Sequence, residues 1–277
     1  MRRLPALLAV LFLAASCHGP GPNGQDQRAV GEVDWLPLRL GWIDHFKAWI
    51  YGGVEVPSNL FDFTAALYNG KTFKCAGTVL AGGWVVTAAH CGSIDSVVPG
   101  IDQSGGSQNG LPVDECLQHG SYDQATAVND LALIKLKAPP SGPWLAPAED
   151  DLWEVKPVVN ILGWGAGCGQ ASHKLCQAQV DRVDPAVCAQ SYLYNHVPYP
   201  IDQFTLCTTS SLLVGTGDGD SGGPVVADTA HGTRLVGVIS VGNGKAVPNR
   251  HMKVSSYIDW MKKVMAGDVT ETKPCGS

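Results

Sequence analysis

The sequence predicts an all-β protein, and three observations carry that expectation. The 33 glycines and 18 prolines are spread along the 277 residues, which favours many short strands joined by turns over long helices. Asn69-Gly70 lies between the runs Phe61–Tyr68 and Lys71–Leu80 and is a strong hairpin signal, because both residues tolerate the positive φ that a tight hairpin turn needs. Trp84–Thr87 is β-branched and aromatic, and Asn129–Leu136 alternates with Leu131, Leu133 and Lys135 on one face; both read as strands. The length allows one large or two modest domains with a sizeable core. A net charge of −6 with only 16% charged residues, neither sign gathered in runs, argues against nucleic acid or a polybasic membrane contact and reads as solubility. No internal repeat is visible.

The chain begins with an export signal over residues 1–17. Arg2 and Arg3 form a positive head, Leu4–Ala15 is an apolar run too short for a stable membrane anchor, and the small residues Ala14, Ala15 and Ser16 follow. Leu13-Ala14-Ala15-Ser16-Cys17 resembles the lipobox of bacterial lipoproteins, which would make Cys17 a lipid anchor on a secreted, periplasmic or cell-surface protein. It departs from that pattern in having Ala14 where a leucine is common. An ordinary signal peptide cut near the same place is the alternative, and both stand.

Residues 18–34 are polar and rich in Gly and Pro and read as a tether. Trp35, Leu36, Leu38, Leu40, Trp42, Ile43, Phe46, Trp49 and Ile50 then crowd into one stretch that must be covered in a soluble protein. It reads as a pro-segment, ending at residue 49, that packs on the following domain. A membrane-contacting patch is the weaker alternative, because Asp34, Asp44 and few basic residues make no cationic face.

Setting Cys17 aside leaves eight cysteines, at 75, 91, 116, 168, 176, 188, 207 and 275, an even set in an exported chain and therefore a disulfide framework. No paired Cys-x-x-Cys or closely spaced histidines suggest zinc. The acids Asp95, Asp102, Asp114 and Glu115 match no calcium-loop spacing. Neither a metal nor a cofactor is expected.

Three stretches carry chemistry. The strand Trp84–Thr87 delivers His90 at its end, and Cys91 stands sixteen residues after Cys75, a spacing suited to a bridge that locks the loop carrying the imidazole. Asp130 stands at the head of an apolar strand; it is either a solvated turn residue or, buried beside His90, the group that fixes the imidazole tautomer. In Gly219-Asp220-Ser221-Gly222-Gly223-Pro224, three glycines flank one serine. The backbone there can turn tightly and point the amides of Gly219 and Ser221 at an oxyanion beside a hydroxyl nucleophile. A plain turn between two strands is the simpler alternative.

Together, Thr87-Ala88-Ala89-His90-Cys91, Asn129-Asp130-Leu131-Ala132-Leu133 and Gly219–Pro224 resemble the three signature segments of the chymotrypsin/trypsin-like serine proteases, in that family's order of His, Asp and Ser. The resemblance covers about residues 50–266. It implies two six-stranded antiparallel β-barrels with a C-terminal helix and the active site in the cleft between the barrels. The first barrel would run over about 50–147, the second over about 148–255 and the helix over about 256–266, so that the protease domain spans 50–267 and a tail covers 268–277. Gly163-Trp164-Gly165 would open the second half. Val254–Trp260 looks like the family helix, and on its own chemistry Ser256 and Asp259 fit a capping box, Tyr257, Ile258, Met261, Val264 and Met265 one apolar face, and Gly267 a stop.

The resemblance further implies a serine endopeptidase acting on protein or peptide substrates as a monomer, with His90, Asp130 and Ser221 as the triad and the Gly219 and Ser221 amides as the oxyanion hole. It pairs Cys188 with Cys207; the remaining cysteines allow Cys168 with Cys176 and Cys116 with Cys275, a pairing assigned mostly by elimination that the sequence leaves open. Ile50-Tyr51-Gly52-Gly53 looks like the family's mature N-terminus, whose amine would pair with Asp220. Trp49 precedes it where Arg or Lys is usual, which suggests a chymotrypsin-like activator or self-cleavage. Gly215, or Val214 if the loop is one residue longer, falls at the floor of the specificity pocket. Thr216 falls on its wall, Ser240-Val241-Gly242 on the strand that pairs with substrate backbone, and Asn249 near a pocket glycine. None carries charge, so an apolar or small side chain is expected before the scissile bond, not a basic one. Gly217 replaces a family cysteine, and no cysteine between Ser240 and Asn249 could have been its partner. The rival readings are a protease-like binding protein without catalysis and an esterase using the same triad.

Overall fold

A computed structural model describes residues 53–57, 60–100, 106–151, 154, 156–165, 174–195, 199–210, 214–242 and 248–277. Its strands fall into two groups. β1 (Val54–Glu55), β2 (Thr64–Asn69), β3 (Thr72–Leu80), β4 (Trp84–Thr87), β5 (Ser96–Pro99), β6 (Leu111–His119) and β7 (Ala132–Leu136) come first. β8 (Val158–Gly163), β9 (Cys176–Val183), helix α1 (Pro185–Tyr194), β10 (Thr205–Thr209), β11 (Pro224–Thr229), β12 (Gly232–Val241), β13 (Asn249–Lys253), helix α2 (Ile258–Met265) and β14 (Thr272–Pro274) follow.

Strands β6-β5-β2-β3-β4-β7 form one sheet that closes through the β6–β7 pairing, and β9-β10-β13-β12-β11-β8 form another that closes through β8–β9. The pairings in both are antiparallel. The fold is thus two closed six-stranded antiparallel barrels with a short C-terminal helix, and closure leaves neither barrel an open edge within its ring.

Each barrel also carries one extra strand from the far side of the chain. β1, which precedes the first barrel, pairs with Gln177 and Cys176 on β9 of the second. β14, which follows α2, pairs with β6 of the first, and Cys275 is bonded to Cys116 there. Residues 272–275 are therefore built into the first barrel, not a free tail.

One core runs through both barrels. Ala76, Leu80, Val86 and Leu133 of the first meet Leu162, Val226, Leu235 and Met252 of the second, with Tyr257, Trp260, Met261 and Val264 from α2 and the turn before it. Burying each Leu or Val contributes about 1.5–3 kcal/mol relative to exposure, so the relation of the two barrels is fixed by packing.

Local details depart from the sequence reading in three places. The strand expected from Phe61 begins at Thr64, because Phe61 sits at φ 63° and closes a turn with its carbonyl accepting from the Thr64 amide. The capping box is not formed: a 3₁₀ turn over Val254–Tyr257 leads into α2, and the Ser256 hydroxyl donates to the Gln203 carbonyl. β7 is buried on both faces except at Lys135, so its alternation does not mark one wet side. The hairpin at Asn69-Gly70 forms with Gly70 at φ 60°, and the helix ends before Gly267 at φ 97°.

Cys75–Cys91, Cys116–Cys275 and Cys188–Cys207 are bridged. Cys176 is disulfide-bonded too, while its expected partner Cys168 lies outside the described residues, as do Cys17 and Ile50.

Candidate active site

His90 is placed by three constraints that its neighbours supply. β4 ends at Thr87, whose hydroxyl donates to the Ala76 carbonyl across 2.8 Å. Ala89–Cys91 then make one 3₁₀ turn, and the Cys75–Cys91 bridge ties that turn to β3. The two sulfurs beside the imidazole are bonded to each other, so the cluster of Cys75, His90 and Cys91 offers no thiolate pair for a metal.

Asp130 is fully buried just ahead of β7. Its Oδ1 accepts from the His90 amide at 2.8 Å, and its Oδ2 accepts from His90 Nδ1–H at 2.7 Å. With Nδ1 committed as donor, Nε2 of the neutral ring is left as the acceptor. Burial pulls the imidazole pKa down, but the hydrogen bond and charge of Asp130 outweigh it and the His90 pKa is raised above 6.5.

A third donor reaches Asp130 from the other barrel. Ser240 Oγ donates to Asp130 Oδ2 at 2.5 Å. Sequence reasoning places Ser240 on a substrate-pairing strand and misses this bond, because the register of β12 against β13 shifts between Ile239 and Val241. A bulge of this kind re-aims the extra residue's side chain, and nothing in the alternation of Val238–Val241 announces it.

Ser221 lies in the tight turn before β11. Its carbonyl accepts from the Ala76 amide at 2.8 Å. Gly222, at φ 79°, sits so close to β4 that a Cβ there would stand 2.0 Å from Thr87 Oγ1 and 2.3 Å from the Ala76 oxygen. The serine turn is thus pressed onto Ala76 and Thr87, the residues that also hold the His90 turn. Among the described residues no hydrogen bond joins Ser221 Oγ to His90, and no protein acceptor engages the amide of Gly219 or of Ser221. Gly219, at φ 93°, is packed against Phe73 and Gly165.

Asp220 is fully buried. Its carboxylate accepts from the amides of Gly165 and Gly217, each at 2.8 Å. Burial raises its pKa to about 6, against the two amide bonds and with help from Asp218.

Of the residues expected around a specificity pocket, Gly215, Thr216, Gly242 and Asn249 lie against one another, whereas the Ser240 hydroxyl donates to Asp130. Thr216 Oγ1 donates to Asn249 Oδ1 at 3.2 Å, a Cβ on Gly215 would stand 3.1 Å from Asn249 Nδ2, and one on Gly242 would stand 2.7 Å from Thr216 Oγ1. Thr216 and Asn249 are buried. Next to them, Thr208 pairs in register with Asn249, and its hydroxyl lies 2.8 Å from His251 Nε2. Burial, with Arg250 adding to it, lowers the His251 pKa to about 3, so that ring is neutral. Val241 ends β12 beside Arg250 of β13.

Two joined barrels with an Asp–His pair and a glycine-flanked serine in the seam define the class of two-barrel serine hydrolases. Residues 50–261 match the trypsin family model, and the chain belongs to that family; it is a serine-type endopeptidase. Snake venom serine protease KN12 of Trimeresurus stejnegeri is 28% identical over 269 residues, covering 86% of this chain and 96% of that protein. Kallikrein-8 of Homo sapiens is 29% identical over 254 residues, covering 83% and 94%. Trypsin 5G1 of Aedes aegypti is 30% identical over 251 residues, covering 82% and 90%. A solved structure of neuropsin, a serine protease expressed in the limbic system of mouse brain, matches with a TM-score of 0.65 and 28% identity over 77% of this chain and 99% of the other.

Proposed function

We propose that the protein cleaves peptide bonds through Ser221, His90 and Asp130 and an acyl-enzyme intermediate. Ser221 Oγ attacks the scissile carbonyl, His90 Nε2 takes the hydroxyl proton and returns it to the leaving amine, and Asp130 holds the ring and favours the imidazolium. The amides of Gly219 and Ser221 bind the oxyanion, each such donor contributing about 3–4 kcal/mol to the transition state. The observation that carries this reading is the 2.7 Å Asp130–His90 bond in the seam where the serine turn is seated on Ala76 and Thr87. Ser221→Ala should fold and lose hydrolysis; peptide turnover retained by the purified variant overturns the assignment. Labelling of Ser221 by a fluorophosphonate separates an enzyme from an inactive binding protein, and peptide against ester turnover separates a protease from an esterase.

The side chain before the scissile bond is small or apolar. Supporting this, Asn249 packs across Gly215 and is tied to Thr216, which shortens the pocket and leaves no charge among these residues. The Ser240–Gly242 backbone pairs with the substrate as an added strand.

Activation follows cleavage before Ile50, whose new amine pairs with the buried Asp220; Trp49 suits a chymotrypsin-like activator or the protein itself. N-terminal sequencing of active material tests this, and a start well upstream of Ile50 sinks it. The protein is exported and acts as a monomer. The relatives named above are animal proteins, so an anchor at Cys17 on a bacterial cell rests on the lipobox-like residues alone. Mass spectrometry of the mature N-terminus distinguishes lipidation from ordinary signal cleavage.

A further inference from the structure

We infer that Arg250 is a positioning residue for the acid of the proposed triad, holding from the second barrel the loop that delivers Asp130 from the first. The inference rests on the reading of His90, Asp130 and Ser221 given above. Arg250 lies on β13 between Asn249 and His251 and is among the largest fully buried side chains of the described residues. Alternation along the strand turns it away from the pocket that Asn249 lines. Its Nη1 donates to the Ala127 carbonyl at 2.8 Å and its Nε to the Pro200 carbonyl at 3.1 Å.

Ala127 is three residues ahead of Asp130 in a loop that needs holding. Ala127 and Asn129 sit at φ 49° and 54°, left-handed conformations that cost an alanine about 1–2 kcal/mol. Bonds within the first barrel secure the outer part of this loop: Asp123 pairs with Val128 and accepts from the Ala125 and Thr126 amides, and Asn129 Nδ2 donates to the Ser121 carbonyl. The inner part is held from across the seam. Arg250 takes the Ala127 carbonyl, and the Tyr257 hydroxyl donates to Asn129 Oδ1 at 3.1 Å. Without Arg250, the Ala127 and Pro200 carbonyls each lose a charged donor inside the protein, and the left-handed turn loses its opposing contact.

Charged and titratable groups surround the pair. Asp130 meets His90 directly and acts electrostatically on Tyr122 and Tyr257. Arg250 has Asp130, Tyr192, Asp202 and Tyr257 about it, all favouring its charge against burial, with His251 next in sequence. The guanidinium reaches Asp130 only through the loop and through the field, so it acts on His90 by way of Asp130.

Arg250→Met and Arg250→Lys, made in the full chain and in the active material obtained from it, test this. A misplacement of about 1 Å can cost on the order of a hundredfold. Arg250→Met should therefore lower kcat at least about tenfold with KM within about twofold, a pattern of lost transition-state positioning. The acid limb of kcat should move to lower pH, since Asp130 is what raises the His90 pKa, and the low-field proton resonance of His90 Nδ1–H should weaken. Arg250→Lys, keeping the charge and one donor, should fall between. If the variants melt earlier but keep the wild-type kcat, acid limb and His90 resonance, Arg250 merely fills the core and the inference is overturned. Should Arg250→Met fail to fold, Arg250→Lys decides on the same measurements. If the wild type does not turn over peptides at all, the hydrolase reading fails, and the His90 resonance still reports whether Arg250 holds Asp130.

Discussion

Ser240 Oγ and Asp130 Oδ2 lie 2.5 Å apart, a hydrogen bond from the second barrel to the first. The carboxylate is fully buried, and a buried charge is tolerated only where donors replace water. Asp130 has three such donors: the amide and Nδ1 of His90, and this hydroxyl. Ser240→Ala removes the one that comes from outside the His90 turn. A hydrogen bond to a charged group contributes about 1.5–3 kcal/mol, so thermal melts should show a loss of that order. kcat should fall severalfold while KM changes little. An unchanged melting temperature would mean that the hydroxyl contributes nothing to holding the acid.

The same carboxylate sets the pH dependence. In the proposed mechanism His90 must be neutral to take a proton, and although burial pulls its pKa down, the Asp130 hydrogen bond and charge raise it above 6.5. Activity should thus be lost as the pH falls through a value above 6.5. In Asp130→Asn the raising contributions go and burial remains, so the His90 titration should move down. Stability has the opposite sign. A histidine whose folded pKa is raised contributes stability that is fully present below its unfolded value and is lost as the pH rises through the folded one. Wild type should gain more than Asp130→Asn on going from pH 8 to pH 6, as denaturant melts at the two pH values would reveal. His251, neutral until about pH 3, does not blur this window.

How much of this was legible in the residues follows from how local each signal is. His90, Asp130 and the Ser221 turn are marked by short segments, and some strands by β-branched runs and by turns such as Asn69-Gly70, whereas the closure of the barrels is implied only by the family resemblance, because it rests on the long-range β6–β7 and β8–β9 pairings. The cross-barrel features are not marked. The Ser240 bulge depends on the register of β12 on β13, and Arg250 sits among apolar and neutral residues with nothing nearby in sequence to say that its partners are Ala127 and Pro200. The last residues carry a strand of only three positions, Thr272–Pro274, too short for any period to register. The capping box fails for the same reason in reverse: Ser256 satisfies the local pattern, but the Gln203 carbonyl, far away in sequence, takes its hydroxyl.

Asn249 should decide which substrates fit. Its carboxamide lies against Gly215 and accepts from Thr216 Oγ1, so that in the proposed pocket it would fill space that a substrate side chain would otherwise use. Asn249→Gly lengthens the pocket and frees the Thr216 hydroxyl. Each methylene newly accommodated in an apolar pocket is worth about 1–3 kcal/mol in discrimination. The ratio of kcat/KM for a substrate with Phe before the scissile bond over one with Ala should therefore rise at least about tenfold. A ratio that stays put in a folded, active variant would show that Asn249 does not bound the pocket.

Asp220 should make the uncut chain sensitive to pH. The carboxyl is fully buried with two amide donors, from Gly165 and Gly217, and no cation is bonded to it among the described residues. Burial raises its pKa to about 6 from 3.8. A carboxyl with a raised folded pKa contributes stability fully present below its unfolded value and lost as the pH rises through the folded one. The difference of about two pH units corresponds to on the order of 3 kcal/mol. The melting temperature of the uncut chain should therefore fall between pH 4 and pH 7. Asp220→Asn, which cannot ionise, should flatten that fall, as should cleavage before Ile50, because an amine brought to the carboxylate favours its charged form. The cleaved Asp220→Asn protein should then be inactive, since it has no charge with which to hold the new terminus. Parallel pH slopes in the uncut wild type and the variant would mean that Asp220 stays ionised without the amine, and the switch would have to lie elsewhere.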